Sequence, residues 1–167
     1  AMPEDRPALV LATSMVDVAT LRGLLPRMAN VPVCLYFHEN QFAYPVSEAQ
    51  VACLEPQMVQ LYAGLSAQRL VFNSDFNRIS FLHGVDKLLR KLPDAVPAGV
   101  VQRLAEKSMV LPVPIDPVPA ARGKDDDLLV WNHRWEYDKA PEVFAAAVER
   151  LAAGGERFRL ALLGPRP

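Results

Sequence analysis

Three short polar segments directly follow apolar runs that have the composition of buried β-strands. They are residues 38–41 (His-Glu-Asn-Gln), 73–74 (Asn-Ser) and 132–136 (Asn-His-Arg-Trp-Glu). Polar side chains are costly to desolvate, so these groups are either ordinary solvated loop residues or parts of a binding site. Because ligands bind beyond the carboxyl ends of the strands in open parallel sheets, three such segments at that edge favour a site.

The third segment also carries positive charge. Arg134 and Lys139 lie five positions apart, just before the predicted start of a helix at Pro141. A helix N-terminus presents free backbone N–H groups and the positive end of the helix dipole, and two cations beside it suit a diphosphate. The same side chains could instead form ion pairs with Glu136 and Asp138 in a solvated loop. The spacing alone leaves both interpretations open.

Other kinds of chemistry find little support. The three histidines, His38, His83 and His133, lie far apart in the sequence, so no metal centre is predicted. There is no P-loop and no G-x-S-x-G nucleophile elbow, and residues 11–14 do not form a dinucleotide-binding fingerprint. A dehydrogenase is therefore disfavoured.

The composition is that of a soluble globular protein. The chain has 167 residues, of which 51% are hydrophobic and 22% charged, and no apolar stretch reaches the length of a membrane span. No signal peptide opens the sequence. Cys34 in a predicted strand and Cys53 in a predicted helix are expected to be buried free thiols, which favours a reducing compartment and a cytoplasmic protein.

The net charge of −1 gives no global nucleic-acid signature. A local basic groove would use Lys87, Arg90, Lys91, Arg103 and Lys107. The alternative, a solvated helical face that is balanced by neighbouring acidic residues, is slightly favoured.

The elements that position these segments alternate between strand and helix. Strands are predicted at residues 8–11, 33–37, 69–73, 109–111, 128–132 and 158–163. The intervening helices include one from a capping box at Ser47 to Ser66, which Pro56 is expected to kink or split, and one from Ser74 or Asp75 that stops at Gly84. Such alternation predicts an α/β fold, with a Rossmann-like parallel sheet covered by helices on both faces.

The proline-rich stretch 112–127 marks a domain boundary, because a new strand–helix–strand pattern begins after it. We expect a first domain at residues 1–116, a linker at 117–127 and the start of a second domain at 128–167. The second pattern is too short to bury its own sheet, so the chain is expected to be a fragment of a longer protein.

The segments LYFHENQFAYP, VFNSDFNRISFL and WNHRWEYDKAPEVF closely resemble motifs of the tRNA-queuosine α-mannosyltransferase family. The resemblance extends from Leu9 to Leu163. It implies a retaining GT-B glycosyltransferase with two Rossmann-like domains and an active site in the cleft between them. The implied reaction moves mannose from GDP-mannose to queuosine in the anticodon loop of tRNA for aspartate. The nucleotide sugar is a substrate, and neither a cofactor nor a metal is implied.

The resemblance assigns roles to individual residues. His38 matches a histidine that contacts the transferred sugar and is the catalytic candidate. Arg134 and Lys139, with His133, match the donor diphosphate site of the second, donor domain. The residues expected on the acceptor side of the first domain are Glu39, Asn40, Gln41, Asn73 and Ser74.

The family's glycine-rich loop after its first strand and the later parts of its donor domain are not in this sequence. The first domain is thus expected to lack its first strand, and this fragment alone is expected to be inactive. Two other functions stay open: a GT-B glycosyltransferase with a lipid or small-molecule acceptor, and a non-catalytic nucleotide- or RNA-binding module. No membrane partner is expected, and the sequence does not predict an oligomeric state.

Overall fold

The computed structural model describes residues 7–45, 53–93, 95–117, 123 and 125–164. They fall into two compact units. Unit 1 comprises the described residues of 1–44 and 51–114, and unit 2 those of 45–50 and 115–167. Across the part of the chain that the structure describes, every helix is too short or too polar to cross a bilayer.

Unit 1 alternates strands with helices. Its elements are β1 (Val10–Thr13), α1 (Val18–Leu24), a 3₁₀ turn (Pro26–Met28), β2 (Val33–Phe37), α2 (Glu55–Ser66), β3 (Arg69–Phe72), α3 (Asp75–Leu89), α4 (Val100–Glu106) and β4 (Ser108–Val110). The strands form one sheet in the order β1-β2-β3-β4, and each neighbouring pair is parallel. The predicted α/β class and parallel sheet are confirmed.

The core of unit 1 lies on one face of this sheet. Leu35 and Phe37 of β2 are fully buried. Helices α1 to α4 all contribute to the same core, through Val18, Leu61, Phe81 and Leu104 among others. Side chains alternate between the two faces of a strand, and those on the opposite face are more open, with Leu11 71% and Met109 50% exposed. Among the described residues, the helices therefore pack on one face.

Helix α2 begins later than the sequence suggested. It starts at Glu55, and Pro56 lies in its first turn, where proline costs no hydrogen bond. Pro56 therefore stands in the first turn of α2 and does not kink it, and residues 46–52, where a split would be seen, lie outside the described residues. The predicted capping box at Ser47 and Gln50 lies outside the described residues.

Helix α3 does not stop at Gly84 but continues to Leu89, so it also contains Lys87. The glycine serves close packing rather than helix termination. A Cβ atom at residue 84 would lie 2.3 Å from the Cβ atom of Phe42. The absence of a side chain at Gly84 thus allows the Phe42 ring to lie directly on the helix.

The two cysteines are free but less buried than expected. Cys34 is half-buried, because its side chain alternates with those of Val33 and Leu35 and so lies on the open face of the sheet. Cys53 is exposed and precedes α2. The expectation of two buried thiols was wrong.

Unit 2 is a single strand–helix–strand motif. It contains β5 (Leu128–Trp131), a 3₁₀ turn (Tyr137–Lys139), α5 (Pro141–Ala153) and β6 (Arg159–Leu162), and the two strands are parallel. Among its described residues only Trp131 is buried. The sequence pattern places Val143, Phe144, Ala147, Val148 and Leu151 on one apolar face of α5, of which Phe144 and Val148 are half-buried and the others exposed. A two-stranded sheet is too small to cover such a face.

Candidate functional site

The first two polar segments meet at the carboxyl edge of the sheet in unit 1. Strands β2 and β3 are parallel neighbours with Phe37 opposite Phe72, so residues 38–41 and 73–74 leave the sheet side by side. The side-chain amide of Asn73 donates a hydrogen bond of 2.6 Å to the backbone carbonyl of His38. The structure thus brings these two segments together, as the strand pattern predicted.

Asn40 is directed into the protein rather than towards solvent. Its side chain is 3% exposed. Its Nδ2 lies 2.8 Å from Asn77 Oδ1 and 2.9 Å from Ser80 Oγ, and its Oδ1 accepts from the backbone N–H groups of Phe42 and Ala43. Because both polar atoms are engaged, this side chain holds the loop against α3. That differs from the expectation that it lines the acceptor side.

Asn77 connects this loop to the neighbouring one. The side chain of Asn77 donates to the carbonyl of Phe37 at 3.0 Å and to Asn73 Oδ1 at 2.9 Å. Its backbone N–H is capped by Ser74 Oγ at the start of α3. We call Asn40, Asn73 and Asn77 the amide network. Asn73 and Ser74, expected on the acceptor side, are thus also occupied by contacts within the protein.

Gln60 on α2 supports the loop from the other side. This buried side chain accepts a hydrogen bond of 2.8 Å from the backbone N–H of Gln41 and donates to the carbonyl of Ser14. The hydroxyl of Ser14 donates in turn to the carbonyl of Glu39 at 3.1 Å. The backbone of residues 38–41 is therefore held by hydrogen bonds from the loop after β1, from α2 and from Asn73, and the Asn40 side chain is held by α3.

His38 and Glu39 differ from the residues that hold them. Both are exposed, and neither side chain forms a hydrogen bond or ion pair with a described residue. The His38 ring lies 4.7 Å from the ring of Tyr36, whose hydroxyl donates to the carbonyl of Leu111. An imidazole can exchange a proton near neutral pH, and a carboxylate can accept hydrogen bonds from hydroxyl groups. Free polar side chains on a fixed backbone are the arrangement that a binding or catalytic site requires.

A surface pocket of about 270 Å³ lies beside this loop. Its lining consists of Ser14, Met15, Gln41, Glu55, Pro56, Val59 and Gln60. The exposed Glu55 stands in the first turn of α2, and Gln41, expected on the acceptor side, is half-buried. The pocket therefore offers polar side chains around Gln41, at the end of the loop.

The sequence did not single out Ser14, Gln60, Asn77 or Glu55. A signal was available for Asn77, which shares the face of α3 with Phe81 and Val85 at a spacing of four. A polar residue at a position that faces the core needs hydrogen-bond partners, and here they are the loop residues.

The polar segment of unit 2 forms ion pairs. Arg134 Nη1 lies 3.0 Å from Glu136 Oε1, and Lys139 Nζ lies 2.8 Å from Asp138 Oδ2. The hydrogen bond from the Lys139 ammonium lowers the pKa of Asp138, and the charges of Lys139 and Arg134 act in the same direction. These are the pairs of the solvated-loop interpretation. Because the Arg134 side chain is 68% exposed, its pair is weak and Arg134 can exchange Glu136 for an anionic ligand.

His133 lies in an aromatic cluster on the same unit. Its ring centroid is 5.3 Å from that of the buried Trp131, which also packs against Trp135 and Phe144. Helix α5 follows, and no side chain caps its N-terminus. Ala140, before Pro141, has a left-handed conformation with φ of 50°. An uncapped helix N-terminus near two cations is compatible with an anionic ligand. Within the described ranges, no three His, Cys, Asp or Glu side chains are grouped so as to hold a metal ion.

Comparisons with known proteins agree with the motifs. Residues 2–115 match the family model for the tRNA-queuosine alpha-mannosyltransferase N-terminal region. The tRNA-queuosine alpha-mannosyltransferase of Drosophila melanogaster is 32% identical over an alignment of 177 positions, which covers 98% of this chain and 47% of the fly protein. The chain thus spans about half the length of this relative. No solved structure matched the chain. By the family model and by this relative, the chain belongs to the tRNA-queuosine alpha-mannosyltransferase family.

Proposed function

We propose that the protein to which this chain contributes transfers mannose from GDP-mannose to queuosine in tRNA for aspartate, with retention. Membership of the family supports the reaction class, and the name of the fly relative supports the sugar and the nucleoside. GDP-mannose as the donor, retention and the GT-B architecture follow from the resemblance of the motifs. In this proposal residues 1–116 are the acceptor domain, 117–127 the linker and 128–167 the start of the donor domain. In this proposal the protein acts in the cytoplasm.

The observation that carries the proposal is the contrast within residues 38–41. The backbone is held by hydrogen bonds with Asn73 and Gln60 and the Asn40 side chain by Asn77, while the side chains of His38 and Glu39 stay exposed. A loop that served only to connect β2 with α2 would not need to be fixed from two helices. Fixing the loop reduces the entropy lost when its free side chains bind a ligand.

The side chains then divide into two roles. His38 contacts the transferred sugar, Glu39 accepts hydrogen bonds from the acceptor nucleoside, and the amide of Gln41 accepts hydrogen bonds from it or donates them to it. Asn40, Asn73 and Ser74 keep their place in the proposal as positioning residues, because their polar atoms bind the loop backbone, each other and α3. No protein nucleophile is assigned.

The donor is held by unit 2 in this proposal. Arg134 and Lys139 bind the diphosphate, with His133 beside them, and they stabilise the negative charge that grows on it as the sugar leaves. When the sugar donor binds, Arg134 gives up its ion pair with Glu136 and pairs with an oxygen of the donor diphosphate.

The test uses the full-length protein with tRNA for aspartate that does or does not contain queuosine, and with GDP-mannose, GDP-glucose, UDP-glucose and UDP-galactose as donors. Mass spectrometry of the nucleosides should show one added hexose only with queuosine and GDP-mannose, and NMR of the product should show an α-linkage. No transfer, or equal transfer to tRNA without queuosine, would contradict the proposal. Transfer to small glycosides or lipids would favour a different acceptor.

A further inference from the structure

A second pocket of unit 1 lies at the opposite edge of the sheet from His38. It has a volume of about 390 Å³ and is lined by Leu65, Arg69, Arg103, Glu106 and Lys107. Arg69 is the first residue of β3, and Lys107 directly precedes β4. The four residues of β3 separate this pocket from Asn73, a length of about 13 Å at the usual rise of a strand.

The pocket has an excess of positive charge. Three of its five lining residues are cations and one is an acid. Glu106 accepts a hydrogen bond from Gln102 at 2.9 Å, and Arg69 and Arg103 are both exposed. Neither of these two arginines forms an ion pair or hydrogen bond with a residue that the structure describes. Their ten N–H donors are therefore available to a ligand.

Lys107 is fixed at the base of the pocket. Its ammonium donates to the carbonyls of Leu65 at 3.1 Å and Ala67 at 2.6 Å, at the C-terminal end of α2. One of its three N–H groups is left over. Burial lowers the pKa of Lys107, and the charges of Arg103 and Arg22 lower it further. An anion in the pocket would relieve this repulsion between like charges.

We propose that Arg69, Arg103 and Lys107 form a binding site for a phosphate of the RNA backbone. Arginine forks match the oxygens of a phosphate group, and a fixed ammonium beside them adds a point charge. The proposal rests on the proposed function, since a protein that acts on tRNA must bind a polyanion, and the net charge of −1 of this chain requires a local cationic site to do so. The site supplies affinity away from the reacting nucleoside, because phosphate contacts position a nucleic acid and base contacts specify it.

Only some residues of the basic groove predicted from the sequence lie in this pocket. Arg103 and Lys107 share the pocket, together with Arg69, which the sequence did not single out. Arg90 instead forms a 2.8 Å ion pair with Asp86 on the last part of α3. Arg90 is therefore a matched control: it is an exposed arginine on the same unit whose charge is already paired.

The test measures tRNA binding by the full-length protein without a sugar donor, so that it does not depend on transfer. The Kd is followed by fluorescence anisotropy from 50 to 300 mM salt for the parent, for R69Q/R103Q and for R90Q. In R69Q/R103Q the Kd should rise about tenfold near 0.1 M salt, and the slope of log K against log salt should fall by about 0.7–0.9 for each phosphate that is no longer neutralised. R90Q should match the parent. Lys107 is left intact, because it binds carbonyls of α2, and thermal unfolding confirms that the variants remain folded.

Two further measurements distinguish an RNA-backbone site from a pocket for free phosphate and from a part of the catalytic machinery. Inorganic phosphate at 10 mM should displace no more tRNA than sodium chloride of equal ionic strength does. If phosphate displaced clearly more tRNA than sodium chloride, the pocket would be a site for free phosphate and the proposal would be overturned. Parent-like affinity and salt slope in R69Q/R103Q would also overturn it. Mannose transfer is assayed separately at saturating tRNA, where kcat should be unchanged and only the KM for tRNA should rise. Absence of transfer by the parent, together with the expected change in salt slope, would contradict the proposed function and leave the phosphate site standing.

Discussion

The two loops that follow β2 and β5 have similar sequence character but are held in opposite ways. After β2, neutral amides are buried and hydrogen-bonded, with Asn40 and Asn77 both 5% exposed or less, while His38 and Glu39 are left free. After β5, charged side chains pair with each other near the surface, as Arg134 does with Glu136. The first loop is positioned before a ligand arrives, whereas the second must exchange partners to bind one.

The difference follows from the cost of burying charge. An amide with all its hydrogen bonds satisfied can be buried at little net cost, whereas a buried charge demands a partner and carries a large desolvation penalty. A rigid support can therefore be built from asparagine and glutamine. A cationic site for a donor diphosphate has to remain accessible, and its resting ion pairs cost little to break.

The largest expected effect in this comparison comes from Asn40→Asp, which keeps the size of the side chain but replaces its amide donor with an acceptor. The new oxygen would face the oxygens of Asn77, and a negative charge would be added at a buried position. We expect a loss of about 3 kcal/mol in the free energy of unfolding, measured by thermal unfolding of the full-length protein. Glu39→Gln, at the exposed neighbouring position, should change it by less than about 0.5 kcal/mol. Equal stability of the two variants would remove the distinction between supporting and free side chains.

In the loop of unit 2, substitutions should instead weaken ligand binding and leave stability nearly unchanged. Arg134→Ala and Lys139→Ala in the full-length protein should each weaken GDP-mannose binding by about 1.5–3 kcal/mol, the range for a hydrogen bond to a charged group. Isothermal titration calorimetry measures this affinity. Because the Arg134 pair is exposed and contributes little, Arg134→Ala should change the free energy of unfolding by less than about 1 kcal/mol. Unchanged donor affinity in both variants would mean that the loop is only a solvated connection.

A smaller effect is expected from filling the space where Phe42 contacts α3. Gly84→Ala would place a Cβ atom 2.3 Å from the Cβ atom of Phe42, so the ring must move and the loop loses part of its support. A destabilisation of about 1–3 kcal/mol is expected from such overpacking. Gly23→Ala is the matched control, since nothing lies within 4 Å of a Cβ atom there and helix α1 should gain about 0.5–1 kcal/mol. If Gly84→Ala were as stabilising as Gly23→Ala, Phe42 would not anchor the loop.

Much of the fold was predictable because its signals are local. Apolar runs such as residues 33–37, and caps such as Asp17, which accepts from the backbone N–H of Thr20 at 3.0 Å, indicated the order of strands and helices. Gly84 and Pro56 were misinterpreted because the local sequence does not show which of several roles a glycine or a proline has. A glycine that ends a helix and a glycine that admits a ring look alike in sequence, and only the tertiary contact with Phe42 separates them.

The candidate site was predictable in place but not in the roles of its side chains. The strand ends located the polar segments, and motif resemblance proposed what they bind. Which side chains point inward depends on partners distant in sequence, such as Asn77, which lies 37 positions after Asn40. The support from Gln60 and Ser14 spans 46 positions and was likewise invisible to any local pattern.

The central claim is that the loop exists to present His38, and His38→Ala in the full-length protein tests it most directly. The ring is exposed and makes no hydrogen bond to a described residue, so its removal should leave thermal unfolding unchanged. If the imidazole acts on the transferring sugar, kcat for mannose transfer should fall by about 10²-fold, while GDP-mannose affinity changes far less. A folded His38→Ala protein with kcat near that of the parent would contradict the claim, and residues 38–41 would then be a structural loop at the sheet edge.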